Sequence, residues 1–337
     1  MTSDPAAVLN RLDSDAREVV QAVIDAHMPP IPHLEPFTAR MLPGINTAAK
    51  TALSHHPVSR AVTPDPLPVG KVSHHVIPGP AGEILLRVYT PEGEGPFPVL
   101  VYFHGGGFVI FNLDTYDSTC RALCDAARCV VVSVAYHQAP EQPFPAAPND
   151  AFAAYQWVLN HAASIGGDPE RVAVGGESAG GNLAAVTTLM ARDQGVRLPV
   201  FQMLIYPMTN AAFDTPSYEE HADAIPLNKA MMQWFWGHYL KNPADAQNPY
   251  ASPLRAESLT GLPPALVVTA EVDPLRSEGE AYVQRLQNDG VPVTHHHYDG
   301  VMHEFFSMPA VIAKAKQAVT DAALHLRKAF GEDVTVK

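Results

Sequence analysis

Cysteine is scarce in this chain. Three residues, Cys120, Cys124 and Cys129, occur among 337. Cys120 and Cys124 stand at helical i, i+4 spacing, and no histidine at metal-ligand spacing surrounds them. Buried free thiols in a reducing cytoplasm are therefore expected, and no metal site. Long hydrophobic runs are also missing: no segment reaches the ~18 consecutive apolar residues of a membrane-crossing helix. The opening Met1-Thr2-Ser3-Asp4-Pro5 lacks the basic and apolar regions of a secretory signal, so a cytoplasmic location is expected. Positive charge is the third shortage. Lys and Arg total 22 against 35 Asp and Glu, for a net charge of −13, with no long basic run. Nucleic acid and anionic membrane surfaces are poor candidates as partners for such a chain. Internal repeats and low-complexity segments are absent as well.

What remains is ordinary globular composition, 47% hydrophobic, arranged as alternating strands and helices. Residues 72–77 and 84–90 read as an antiparallel start. Residues 98–103, 129–136, 172–175, 201–205, 265–269 and 293–298 read as strands with helices between them. Near-continuous Val-rich strands separated by helices imply an α/β fold, a mostly parallel central sheet covered on both faces. At the N-terminus, Val8, Leu9, Leu12, Val19, Val20, Val23 and Ile24 recur at helical spacing, which predicts one amphipathic helix over 5–28. A Pro-rich stretch over 28–43 ends it, and a short helix over 45–53 is expected next. Between residues 227 and 240, Met231, Met232, Trp234, Phe235 and Trp236 crowd one further helix, a pattern that suits a core or the roof of an apolar pocket.

Several segments carry chemistry. Gly176-Glu177-Ser178-Ala179-Gly180 lies between the strand at 172–175 and a helix rich in Ala, Leu and Met. A serine on so sharp a strand-to-helix turn is held in a strained conformation with its hydroxyl exposed, and side chains in place of the flanking glycines would clash. His104-Gly105-Gly106-Gly107 follows a buried strand, where successive glycines let main-chain N–H groups converge on a developing oxyanion. Asp273 falls at the C-terminal end of the strand at 265–269, where α/β sheets place working residues; capping the helix that follows is compatible with that position. His303 follows the last strand. The chain order Ser178, Asp273, His303 is that of α/β-hydrolases and differs from the orders in chymotrypsin-like and subtilisin-like proteases. His295, His296 and His297 alternate faces on a strand, so the three cannot converge on one ion or one serine. His104 is expected to order its loop rather than react. Glu177 is expected to point away from the Ser178 hydroxyl's side of the elbow and to support the glycine loop or the segment at Glu141.

The chain resembles the bacterial hormone-sensitive-lipase-like esterases over residues 76–326. The residues carrying the resemblance are His104-Gly105-Gly106-Gly107-Phe108, Ala139-Pro140-Glu141 with Pro143-Phe144-Pro145-Ala146-Ala147, Gly176-Glu177-Ser178-Ala179-Gly180-Gly181, Tyr206-Pro207, Asp273-Pro274-Leu275-Arg276 and His303-Glu304-Phe305. The resemblance implies an α/β-hydrolase fold with an N-terminal helical cap and carboxylesterase activity on short- to medium-chain esters. Residues 1–65 would form the cap region, and 66–337 the catalytic domain with a second cap segment near 208–250. Four departures stand out: Glu177 where relatives mostly have Asp, His137-Gln138 for Arg-Leu, and Phe111 and Glu304 at positions that are commonly Gly.

The expected mechanism is acyl transfer to water. Ser178 attacks, His303 accepts its proton and Asp273 steadies the imidazole. The main-chain N–H of Ala179, with those of Gly105, Gly106 or Gly107, holds the oxyanion. No cofactor is called for; the partners are an ester and water. Dimerisation is common among the relatives, though no residue pattern here requires it. An amidase or peptidase using the same three residues is not excluded by the sequence.

Overall fold

The computed structural model describes residues 5–45, 47 and 66–333. Eight strands build one sheet: β1 (Lys71–Gly79), β2 (Gly82–Thr90), β3 (Phe97–Phe103), β4 (Val130–Ala135), β5 (Gly167–Glu177), β6 (Gln202–Ile205), β7 (Ala265–Val272) and β8 (Val293–Met302). Their spatial order is β1-β2-β4-β3-β5-β6-β7-β8. The first two pairings, β1 with β2 and β2 with β4, are antiparallel, and every other pairing is parallel. The antiparallel start and parallel remainder match the sequence reading.

Alternation along the central strands sends side chains to two cores. In β3, Val99, Val101 and Phe103 face one side and Leu100 and Tyr102 the other, all fully buried. The first side is covered by α5 (Ala146–His161), α6 (Ala179–Asp193) and α9 (Arg276–Asn288). On the second lie α4 (Asp117–Ala127) and α10 (Ala313–Ala329), joined by the N-terminal α1 (Pro5–Arg11) and α2 (Ser14–Asp25). Burial on both faces explains why the strands read as continuous apolar runs. Cys120 and Cys124 are buried in α4 and Cys129 just beyond it, with burial pushing their thiols up. Among the described residues no group of histidines, cysteines and carboxylates could hold a metal ion, and no helix is long and apolar enough to cross a membrane.

The single helix expected over 5–28 is broken. Asp13 adopts φ −57° and ψ 159° between α1 and α2, and its N–H donates to Gly300 O at 2.8 Å. Val8, Leu12, Ala16 and Val19 still reach one core, so apolar spacing survives a turn that tertiary contact imposes. Of the helix expected over 45–53, residues 46 and 48–53 lie outside the described residues. Short α3 (Pro36–Arg40) and the helices α7 (Pro216–Glu220) and α8 (Lys229–Tyr239) are also present among the described residues. Strands β5 and β8 run longer than expected. β5 opens through Asp168-Pro169-Glu170, and β8 continues past Asp299-Gly300; both segments are bulges, between the paired Gly167 and Val172 against β3 and between the paired Tyr298 and Met302 against β7, and Gly300 has φ 69°.

Candidate active site

Ser178 sits where β5 ends and α6 begins. Its φ of 56° and ψ of −117° are costly for a residue with a side chain. Three main-chain bonds hold it there: its N–H donates to Ile205 O at 2.9 Å, and its carbonyl accepts from Asn182 N at 3.0 Å and Met208 N at 3.1 Å. Gly180 permits the crossing, because a Cβ there would lie 1.9 Å from Phe103 O. The Asn182 amide ties the elbow to Met208 O and Ala251 O, each at 2.8 Å.

His303 follows β8, and Asp273 follows β7, its neighbour in the sheet. His303 Nδ1 lies 2.7 Å from Asp273 Oδ2, while Asp273 Oδ1 accepts from Leu275 N at 2.8 Å. Asp273 thus orients the imidazole and shapes the turn before α9 at once. Both side chains are buried. Burial, the strongest single influence on His303, disfavours its charge. The Asp273 carboxylate and hydrogen bond, with Glu304 and Glu177 beyond, outweigh it and raise the imidazole above its ordinary value.

Ser178 and His303 line one cavity of about 380 Å³ together with Gly106, Gly107 and Glu304. Apolar side chains form most of the remaining wall. Val23, Ile24 and Ile31 come from the N-terminal region, Ile110 and Phe111 from the loop after β3, and Leu227, Met231 and Phe235 from the 225–235 segment. The aromatic helix α8 therefore serves two ends: Met232, Trp236 and Tyr239 are core, and Met231 and Phe235 face the cavity.

The glycine loop divides its tasks. Gly106 has φ 100°, and its carbonyl accepts from Val109 N at 3.0 Å and Ile110 N at 2.9 Å. The main-chain N–H groups of Gly106, Gly107 and Ala179 have no acceptor among the described residues. Gly105, like Ala179, is not among the residues lining the cavity, and it lies against the Tyr116 hydroxyl, which a Cβ would meet at 2.4 Å. His104 orders the loop, as expected. Its ring stacks on Tyr136 at 4.4 Å, its Nδ1 lies 2.7 Å from Gly105 O, and burial lowers it to about 4, so it stays neutral.

Glu177 does point away from the cavity, but its partners differ from those expected. The hydroxyls of Tyr102 and Tyr206 both donate to its carboxylate. Burial drives its carboxyl up to about 7 against those two bonds. Sequence reasoning did not single out Tyr102, whose alternation in β3 is the one available signal, and it left Tyr206 without a role. Glu141 instead pairs with Arg40 at 2.7 Å, and Gln138 donates to Ile110 O at 2.8 Å. His295 and His297 share Thr269 Oγ1 on one face of β8, at 2.8 and 2.9 Å, and His296 turns to the other face beside His325.

The chain is similar to known proteins over most of its length. A family model described as an α/β-hydrolase fold matches residues 100–307. Esterase LipI of Mycobacterium tuberculosis is 43% identical over 74% of this chain and 80% of its own length. The carboxylic ester hydrolase LipN of the same organism is 45% identical over 69% of this chain, and the match spans 63% of that relative. Among solved structures, a thermostable esterase from Pseudomonas putida superposes with a TM-score of 0.86 at 36% identity, covering 96% of this chain and 98% of that one. The chain belongs to the hormone-sensitive-lipase-like carboxylesterases of the α/β-hydrolase fold. Its enzyme class, carboxylic ester hydrolase, follows from that membership. A hyperthermophilic esterase from Pyrobaculum calidifontis is similar too, with a TM-score of 0.76 at 44% identity over 77% of this chain and 86% of that chain.

Proposed function

We propose that this esterase hydrolyses short- to medium-chain carboxylic esters by acyl transfer through Ser178, His303 and Asp273. The observation that carries the reading is the buried 2.7 Å contact of His303 with Asp273, on an imidazole that shares a cavity wall with Ser178. Ser178 Oγ attacks the ester carbonyl while His303 Nε2 takes its proton. The imidazolium, stabilised by Asp273, returns that proton to the departing alcohol. Water then repeats the sequence on the acyl-enzyme and releases the acid. Asp273 keeps its charge throughout.

The N–H groups of Gly106, Gly107 and Ala179 are the donors we assign to the oxyanion, since they line or adjoin the cavity without an acceptor of their own. Gly105 takes a supporting place against Tyr116. The cavity volume lies near the small end of the ~300–1,000 Å³ range of ligand pockets, which favours short and medium acyl chains. Residues 1–65 and the segment near 208–250 act as a cap, a reading supported by the wall residues that each contributes.

A chain-length series of p-nitrophenyl esters tests the proposal. Turnover should be greatest at short to medium length, fall for long chains, and far exceed that of the matching anilides. Failure of a phosphonate probe to label Ser178, or equal rates on ester and anilide, would refute it.

A further inference from the structure

The carboxylates near the site are almost all matched by donors. Glu141 pairs with Arg40, and Glu220 with Arg11 and Arg276. Glu271 pairs with Arg11, and Glu177 has two phenols. Glu278 accepts from Thr209 N at 2.6 Å. Glu304 is different. Its φ of 67° sets it at the start of a short 3-10 turn, Phe305–Ser307, and its main-chain carbonyl accepts from Ser307. The residue is half-buried and lines the cavity beside His303 and Ser178. Its carboxyl has neither a hydrogen-bond donor nor an ion-pair partner among the described residues.

Among the described residues on the cavity wall, His303 is the group whose charge favours the ionised form of Glu304. No lysine or arginine lines the cavity among the described residues. The titratable neighbours are His303, already engaged by Asp273, and His27, whose Nδ1 lies 2.8 Å from Asp25 O. A carboxylate left unpaired in an apolar wall is stabilised by whatever cation enters. An aromatic face is also near: Phe111 lies 6.2 Å from Tyr116, and the Tyr116 phenol, raised chiefly by burial, also senses the charges of Glu177 and Glu304. Phe111 and Glu304 line the same cavity, and a carboxylate with an aromatic ring in one pocket is a combination suited to an alkylammonium group.

We propose that Glu304 is a specificity-determining residue of this esterase site, favouring esters that carry a cationic amino group over their neutral isosteres. The inference rests on the ester-hydrolase reading above. On each side of the scissile bond a pair of esters differs in one atom. Butyrylcholine is compared with the analogue whose quaternary nitrogen is replaced by carbon, and the ethyl ester of trimethylammonio-butyrate with its own carbon analogue. The quantity read is the charged-to-neutral ratio of kcat/KM. In at least one pair Glu304→Gln should lower that ratio roughly tenfold, the size of one charge-assisted contact, and Glu304→Asp should restore part of it. Ratios unchanged by Glu304→Gln in both pairs would overturn the proposal. Should that variant not fold, the wild-type enzyme decides: butyltrimethylammonium should compete with a neutral ester roughly tenfold better than butylsulfonate, and equal competition would overturn it. Absence of wild-type turnover on every neutral ester, or turnover that survives Ser178→Ala, is a separate outcome that would remove the hydrolase reading and this one with it.

Discussion

The Tyr206 ring lies 4.5 Å from the His303 imidazole, and the same residue gives its hydroxyl to Glu177. One side chain thereby links the wall beside the proposed general base to a buried carboxyl under the nucleophile elbow. Tyr206→Phe leaves Glu177 with Tyr102 alone. It should lower stability by about 1–3 kcal/mol, the cost of leaving a buried polar group short of a hydrogen-bond partner, measured by urea unfolding.

The rate should depend on pH through His303. A general base works only when neutral, and this imidazole is raised above its ordinary 6.5. The kcat/KM should therefore begin to fall on acidification above that value and level off on the alkaline side. Glu304→Gln removes a negative neighbour that favours the imidazolium, so the acid limb should move to lower pH. A profile flat down to about pH 4 would contradict the assignment of His303.

Stability should carry an opposite signature from the carboxyls. Glu177 and Glu304 are both raised to about 7 by burial, above the ~4.3 of an unfolded chain. Their folded state holds protons that the unfolded state has lost. The stabilisation is complete below the unfolded value and disappears as pH rises through about 7. Thermal midpoints should accordingly fall between pH 5 and 7.5. Glu177→Gln should flatten that fall by up to about 1.4 kcal/mol per pH unit.

Gly106→Ala should damage catalysis more than folding. Its φ of 100° disfavours any side chain, and a Cβ would stand 2.1 Å from Ile110 O, so the loop must shift. Loss of one oxyanion donor typically lowers kcat by about 10²–10³. An unchanged kcat in single-turnover measurements would move the oxyanion site elsewhere.

Arg40 fastens the N-terminal region to the site loops. Its guanidinium donates to Val109 O at 2.8 Å, to Ala139 O at 2.7 Å and to the Glu141 carboxylate. Arg40→Ala should loosen the proposed cap, raising KM for p-nitrophenyl esters more than it lowers kcat and costing about 1–3 kcal/mol of stability. An unaltered KM would argue against a covering role for this region.

Most of the sheet was legible because its strands are buried on both sides, so local composition and long-range pairing agree. The misread places are those where the two conflict. Asp168-Pro169-Glu170 and Asp299-Gly300 have the chemistry of turns and form bulges, while paired residues on either side carry the strand past them. The break at Asp13 leaves no mark on the apolar spacing, because Leu12 and Ala16 reach the same core from either side of it. The elbow, the glycine loop and the order of Ser178, Asp273 and His303 were readable because each needs particular residue types at fixed local spacing.

By itself the amino-acid order determined the fold class, the residues proposed for the chemistry and the family. Strand burial and strand-end turns are local constraints, written in consecutive residues. The tertiary structure alone decided which donors Glu177 finds, that Gly105 lies against Tyr116, and that Glu304 stands on the cavity wall with no ion-pair partner among the described residues. These are meetings of side chains far apart along the chain, set by the packing of elements whose separate patterns say nothing about who their neighbours will be.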